Sequence, residues 1–313
     1  MELFRGDTMS EMSKKKYRIN KVKPFTNASF NVLFILLSFM AIFPIIYITI
    51  ISLSSEDSIK KIGYSLKPLE YSLNAYKFLW KERPMIMHAL WVSLKVTIIG
   101  TVIGVFLTTT MGYVLSRKSY RLRGVMNWVV FIPMIFNGGM VANYVVYTNI
   151  LKLENNIWVL ILPLAVSSFN IIISKTFFRI TIPDSIVESA KIDGASQFGI
   201  FFRIVVPISK PILATIGLFL TFGYWNDWFL SSLYIRDNKL YSIQALLNTI
   251  MENLAYIARN PEAGVSLQQY RSQMPSESVR MAIAIVVVLP IAMAYPFFQK
   301  YFISGLTVGA VKG

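Results

Sequence analysis

The stretch from Glu188 to Pro207 reads ESAKIDGASQFGIFFRIVVP. It gathers Glu188, Lys191, Asp193 and Arg203 into one short run of a chain that is 55% hydrophobic and only 15% charged. Just upstream, Ser185 and Glu188 have the S-x-x-E spacing that predicts a capping box at a helix start. Gly194 is placed to end that helix in a left-handed turn. Beyond it, Phe198, Phe201, Phe202 and Val205 recur at three- and four-residue spacing, one apolar face of a second helix. Pro207 and Pro211 are expected to break the chain before the next apolar segment. The stretch therefore predicts two short helices joined at a glycine elbow, one face packed and the other free for a partner. An ordinary amphipathic connector would show the same spacing, so spacing alone leaves both readings open.

Outward from the elbow the sequence is apolar. Six segments, at 30–52, 90–115, 125–149, 157–178, 212–235 and 281–302, are long enough to cross a hydrocarbon core, which takes about 20 residues of helix. Pro44, Pro133, Pro163 and Pro290 fall inside four of them, as membrane helices tolerate where neighbours satisfy the freed carbonyls. The expected fold is all-α and integral to the membrane, a basic segment 1–29 leading into a domain 30–313. The first apolar stretch is too long for the core of a cleaved signal peptide.

The net charge is +15. In a soluble protein that would suggest nucleic acid, but here it reports orientation, because short cytoplasmic loops collect Lys and Arg. With the N-terminus inside, the inner pieces hold 18 basic and 6 acidic residues and the outer pieces 12 and 9. The compact loop SRKSYRLRG, 116–124, is the clearest inner marker. Both termini are then expected in the cytoplasm, with a coupling loop at 183–207 and a long outer loop at 236–280. That outer loop contains the helix-like run YSIQALLNTIMENLAYIA.

The chain has no cysteine and a single histidine, His88. Thiolate metal sites are excluded, a Ser-His-Asp arrangement has little support, and His88 reads as an interfacial polar residue. No G-x-x-x-x-G-K-[ST] run is present to cradle a nucleotide. Catalytic and metal-binding residues are therefore expected to be none.

The order of residues in the elbow resembles the EAA loop of ABC importer permeases. Glu188, Ala190, Asp193, Gly194, Ala195, Ile204 and Pro207 fall at matching positions; Ser189 stands for an alanine and Val206 for a leucine. YWNDW at 224–228 and QKYFISGLTVGAVKG at 299–313 are similar to carbohydrate-type permeases, the maltose-type inner subunit class. PSESVRMA and YPFFQKYF resemble its LplC-like branch, found with complex-glycan importers of Gram-positive bacteria. The resemblance implies a type I ABC importer permease fold with six transmembrane helices in a bacterial cell membrane. It implies that Glu188, Ser189, Ala190, Asp193, Gly194, Ala195, Ile204 and Pro207 dock on a separate ATPase dimer, which holds ATP and Mg. A second permease subunit in a heterodimer and an extracellular lipid-anchored solute-binding protein are the other implied partners. The tail, with Gly305, Gly309, Lys312 and Gly313, is expected to leave the membrane after Phe302 as a flexible strand at the ATPase interface.

Polar residues inside membrane segments are costly and so are candidates for function. They are Asn143, Asn170, Tyr224, Trp225, Asn226, Asp227 and Trp228, amides, a carboxylate and rings that suit a sugar's hydroxyls and faces. Helix packing and interfacial anchoring are the competing reading. Asn137, Gly138 and Gly139 predict a helix break. Lys95 and Asp227, at similar expected depth, are expected to pair or to face one wet cavity. Import of oligosaccharides or complex glycan fragments is the leading function; import of another solute class is the alternative. An ion-coupled transporter would call for more acidic residues at mid-membrane than Asp227.

Overall fold

The computed structural model of the chain describes residues 24–259 and 276–310, and the described residues are helical with no strand. Among the described residues three helices are long and apolar enough to cross a membrane: α1 (Pro24–Ser52), α4 (Arg83–Ser116) and the 277–296 portion of α14 (Ser276–Ala310). Between α1 and α4 lie two short helices, α2 (Glu56–Ile62) and α3 (Asn74–Lys81).

The other expected spans are broken. The segment 125–149 divides into α5 (Arg123–Ile135) and α6 (Gly139–Ile150), bent by 120°. Gly139 takes φ +81° there and donates its N–H to the Asn137 side chain at 2.9 Å, so the break falls at the predicted Asn-Gly-Gly. The segment 157–178 divides into α7 (Trp158–Ala165) and α8 (Ser168–Thr181), bent by 47°. The segment 212–235 ends early: α11 (Lys210–Asn226) stops at Asp227, whose backbone is extended, and α12 (Phe229–Tyr234) follows. Counting each bent pair as one span gives up to six.

Two short helices form the elbow, α9 (Asp184–Ile192) and α10 (Gln197–Ile208). α10 meets α11 at 84°. The break lies at Ser209, not at Pro207. Pro207 has no N–H to offer Arg203, and the helix reaches it through a π turn at Phe201–Val205.

α4 is the central post. Gly100, Gly104, Thr108 and Gly112 recur every fourth residue along it and line one face. A Cβ on Gly104 would stand 2.8 Å from the Ala165 carbonyl oxygen, and one on Gly112 2.5 Å from the Ser174 Cβ. Without side chains there, α7, α8 and α11 approach the backbone closely, the usual way membrane helices gain packing energy. The resulting core runs through Val159, Ile161, Ile216 and Leu220 and continues unbroken into the elbow through Phe178, Val187, Ala190, Ile200 and Phe201. A second cluster at the other end joins Ala75, Leu79, Ile86, Trp225, Ile243, Leu247 and Val279. α13 (Ile243–Arg259) contributes Ile243 and Leu247 to it, the helix predicted in the long outer loop.

Candidate functional site

α9 opens without a capping box. Pro183 occupies the cap position, its φ already near −60°, and the helix starts at Asp184, leaving Ser185 inside the first turn. Gly194 ends it as expected, at φ +80°. The Gly194 N–H donates to the Lys191 carbonyl at 3.0 Å and the Ala195 N–H to the Ala190 carbonyl at 2.9 Å, the paired bonds of a Schellman turn. Ser196 then caps α10, accepting the Gly199 N–H at 3.1 Å.

From Lys191 to Phe198 every residue is exposed. Ile192 is 86% exposed and Phe198 74%, two large apolar side chains on either side of the glycine. Glu188, Ser189, Asp193, Gly194 and Ala195 lie on this outer surface, with Pro207 exposed at the far end of α10; Ala190 is buried beneath and Ile204 is half-buried. A Cβ on Gly194 would meet nothing within the chain.

What holds the elbow is Arg117, whose role the sequence reading missed. It sits at the end of α4, its side chain only 9% exposed. It donates to the carbonyls of Phe178 and Ile182 and to the Asp184 carboxylate, each at 3.0 Å, and to Ser116 Oγ at 3.0 Å. Its guanidinium lies over the Tyr113 ring, 5.4 Å from the centroid. A cation thus satisfies the Ile182 carbonyl just past the end of α8 and adds a second donor to the Phe178 carbonyl, which also accepts the Ile182 N–H. One planar, five-donor group fixes α4, α8 and the first residue of α9 together. An arginine inside a short basic loop was readable as a topological marker; its partners lie more than sixty residues away and were not.

The expected substrate-path residues separate. Tyr224 and Trp225 are 3% and 5% exposed. Tyr224 donates to the Ile161 carbonyl at 2.7 Å and Trp225 to the Val287 carbonyl at 3.2 Å, so both serve helix packing. Trp225 also borders a cleft of about 320 Å³ with Thr97, Thr101 and Thr221. Asn170 is buried, whereas Asn143, Asn226 and Trp228 are exposed. Asp227 and Lys95 form no ion pair. The Asp227 carboxylate accepts the Leu230 N–H at 3.2 Å and caps α12, while Lys95 lies over the Trp91 ring at 5.5 Å. The backbone break at Asp227 is the reason, because a carboxylate beside an open helix start is taken by its amides.

His88 meets the Lys239 carbonyl at 2.7 Å, an interfacial polar contact between α4 and the α12–α13 connection. The expected flexible tail is corrected in part: Gly305 and Gly309 lie within α14, whose backbone stays helical to Ala310. Lys312 and Gly313, like most of segment 1–29 and residues 260–275 of the outer loop, lie outside the described residues.

The sequence pattern of the family described as binding-protein-dependent transport system inner membrane component matches residues 100–308, from the glycine-lined face of α4 through the elbow to α14. Protein LplC of Bacillus subtilis (strain 168) is 37% identical over 276 residues, 88% of this chain and 90% of that one. The polygalacturonan/rhamnogalacturonan transport system permease protein YtcP of the same organism is 36% identical over 279 residues, 89% and 95% of the two chains. A solved bacterial ABC transporter involved in the import of the acidic polysaccharide alginate superposes with a TM-score of 0.76 at 26% identity. That match covers 89% of this chain and 96% of the other.

Proposed function

This chain belongs to the family of binding-protein-dependent transport system inner membrane components, and from that membership we propose that its elbow, 184–208, is the surface on which a separate ATPase acts. The chain is the membrane subunit of an ABC importer for carbohydrates and has no catalytic role of its own. The alginate importer and the YtcP relative supply the substrate class, oligosaccharides or glycan fragments.

One observation carries the docking assignment. The elbow is rigid at its base and bare at its tip. Ala190, Ile200, Phe201 and Val205 are buried in the core that the membrane helices share, and Arg117 pins the first residue of α9. Ile192 and Phe198 meanwhile project from it, a costly exposure of apolar surface unless a partner covers them. A push on the tip is then transmitted to α4, α8 and α11 as one body.

The six-span topology with both termini in the cytoplasm is part of this reading. So are a second permease in a heterodimer, a lipid-anchored binding protein outside, and ATP and Mg on the ATPase. Asn143, Asn226 and Trp228 are the exposed candidates left to face the substrate. Ion-coupled transport is disfavoured because Asp227 is engaged in capping α12. Affinity purification of the full chain from membranes tests the proposal: an ATPase and a second permease should accompany it. Uptake of labelled oligosaccharides with the cognate binding protein then identifies the cargo. A chain purified alone from membranes that transport normally would defeat the assignment.

A further inference from the structure

At the same end of the molecule, α5 and α8 bring together three cations with no carboxylate among them. Arg123 and Asn127 stand one turn apart on α5, and Lys175 and Arg179 one turn apart on α8. The faces meet where Lys175 Nζ donates to Asn127 Oδ1 at 2.8 Å. Arg123 commits its Nε to the Leu115 carbonyl at 3.1 Å. None of the three cations is in an ion pair among the described residues, and the nearby Asp184 is already held by Arg117. Lys175 and Arg123 each keep further N–H donors free. Beside Lys175 a groove of about 330 Å³ runs along the two helices, walled by Trp128, Phe131, Ile171 and Ile172.

We propose that this face binds an anionic glycerophospholipid, its phosphate between Arg123, Lys175 and Arg179 and an acyl chain in the groove. A carboxylate from a partner protein would match the cations but leave the apolar groove empty. A phosphate joined to an acyl chain fills both. Basic pockets between membrane helices at the cytoplasmic boundary suit acidic headgroups, and the exposed Lys118 and Arg121 add longer-range attraction. The assignment of this boundary to the cytoplasmic leaflet rests on the function proposed above.

Native mass spectrometry of the transporter complex, reconstituted in nanodiscs of phosphatidylglycerol or of phosphatidylcholine and then released, tests it. The unaltered complex should retain phosphatidylglycerol and not phosphatidylcholine. Arg179→Gln, an exposed side chain with no hydrogen bond among the described residues, should lower retention about fivefold, the worth of one basic residue near an acidic headgroup. The triple change Arg123→Gln, Lys175→Gln, Arg179→Gln should lower it about a hundredfold by the same measure. The control Lys60→Gln, Lys61→Gln, Lys152→Gln removes equal charge from exposed positions away from this face and should retain the lipid. Equal retention by the unaltered and Arg179→Gln complexes would overturn the site, as would an equal loss in the control. So would a triple variant that retains the lipid but no longer joins its second permease, which would identify a protein carboxylate as the occupant. Loss of the effect in a complex that contains the ATPase defeats only the lipid site. Absence of the ATPase, with retention still sensitive to Arg179, defeats only the function.

Discussion

At each end of the molecule one charged side chain closes a helix terminus that the backbone leaves open, and the two closures differ in what they join. At the elbow end, the inner one in the topology proposed above, Arg117 donates to the Ile182 carbonyl just past α8 and to the Phe178 carbonyl in its last turn. At the opposite end, outer by the same reading, Glu56 receives the amides that begin α14, the Glu277 N–H at 2.7 Å and the Ser278 N–H at 3.0 Å. The signs are those the helix dipole favours, a cation at a C-terminus and an anion at an N-terminus. Around Glu56 the structure is a knot. Tyr64 donates to Glu277 at 2.7 Å, Arg280 pairs with Glu277 at 2.9 Å, and the Glu277 carboxylate raises the Tyr64 hydroxyl above its ordinary pKa. Around Arg117 there is a knot on one side only, because α9 leads straight to the exposed elbow. The outer closure joins parts that have only to stay together. On the function proposed above, the inner one joins parts that have to move together.

If that contrast is right, inner substitutions damage transport beyond their cost in stability, and outer ones damage stability alone. The largest effect is expected for Arg117→Gln. It takes the donor from the Ile182 carbonyl and the Asp184 carboxylate and the second donor from the Phe178 carbonyl, at a cost on the order of 2–4 kcal/mol. Uptake should fall below a tenth of normal even at matched membrane abundance. Asp184→Asn, at a carboxyl that is half exposed, should be milder in both respects. Comparable uptake by Arg117→Gln and the unaltered chain would remove the distinction between the two ends.

Gly194→Leu is next. A Cβ there lies clear of the rest of the chain, so the main folding cost is the left-handed φ, about 1–2 kcal/mol. Membrane insertion should survive while ATP-driven uptake is lost, because the side chain would meet only the partner. Normal uptake at normal abundance would mean that no partner approaches the elbow.

The smallest effect is expected outside. Glu56→Gln keeps an acceptor for the α14 amides but loses the charge, worth about 0.3–1 kcal/mol. The melting temperature should drop by a few degrees while uptake per assembled transporter stays within twofold. A transport loss larger than that of Asp184→Asn would show the outer knot to be a moving part as well.

Much of the contrast was legible in residues. Gly194 and the spacing of Phe201 and Val205 foretold the elbow, although Phe198 and Phe202, expected on the same packed face, are exposed, and Asn137-Gly138-Gly139 foretold one helix break. The breaks at Ser167 and Asp227 were not foreseen, because an apolar window averages over a single non-helical residue. The glycines at positions 100, 104 and 112 of α4 were readable as a close-packing face and would have located the central helix. Arg117 and Glu56 were beyond reach, since each acts on backbone groups far along the chain, identifiable only once the helices have ended. The Ser185–Glu188 pair misled for a local reason, as Pro183 set the helix start one residue ahead of Ser185.

The central claim is that a separate ATPase sits on the elbow, and the chain's lack of cysteine allows a direct test. Ile192→Cys and Phe198→Cys, each the only thiol in the chain, flank Gly194 on the exposed tip; Tyr71→Cys lies exposed near the outer knot. With a short thiol-directed photocrosslinker on the purified complex, positions 192 and 198 should join the ATPase and position 71 should not. An intact complex in which 192 and 198 fail to capture the ATPase would contradict the account.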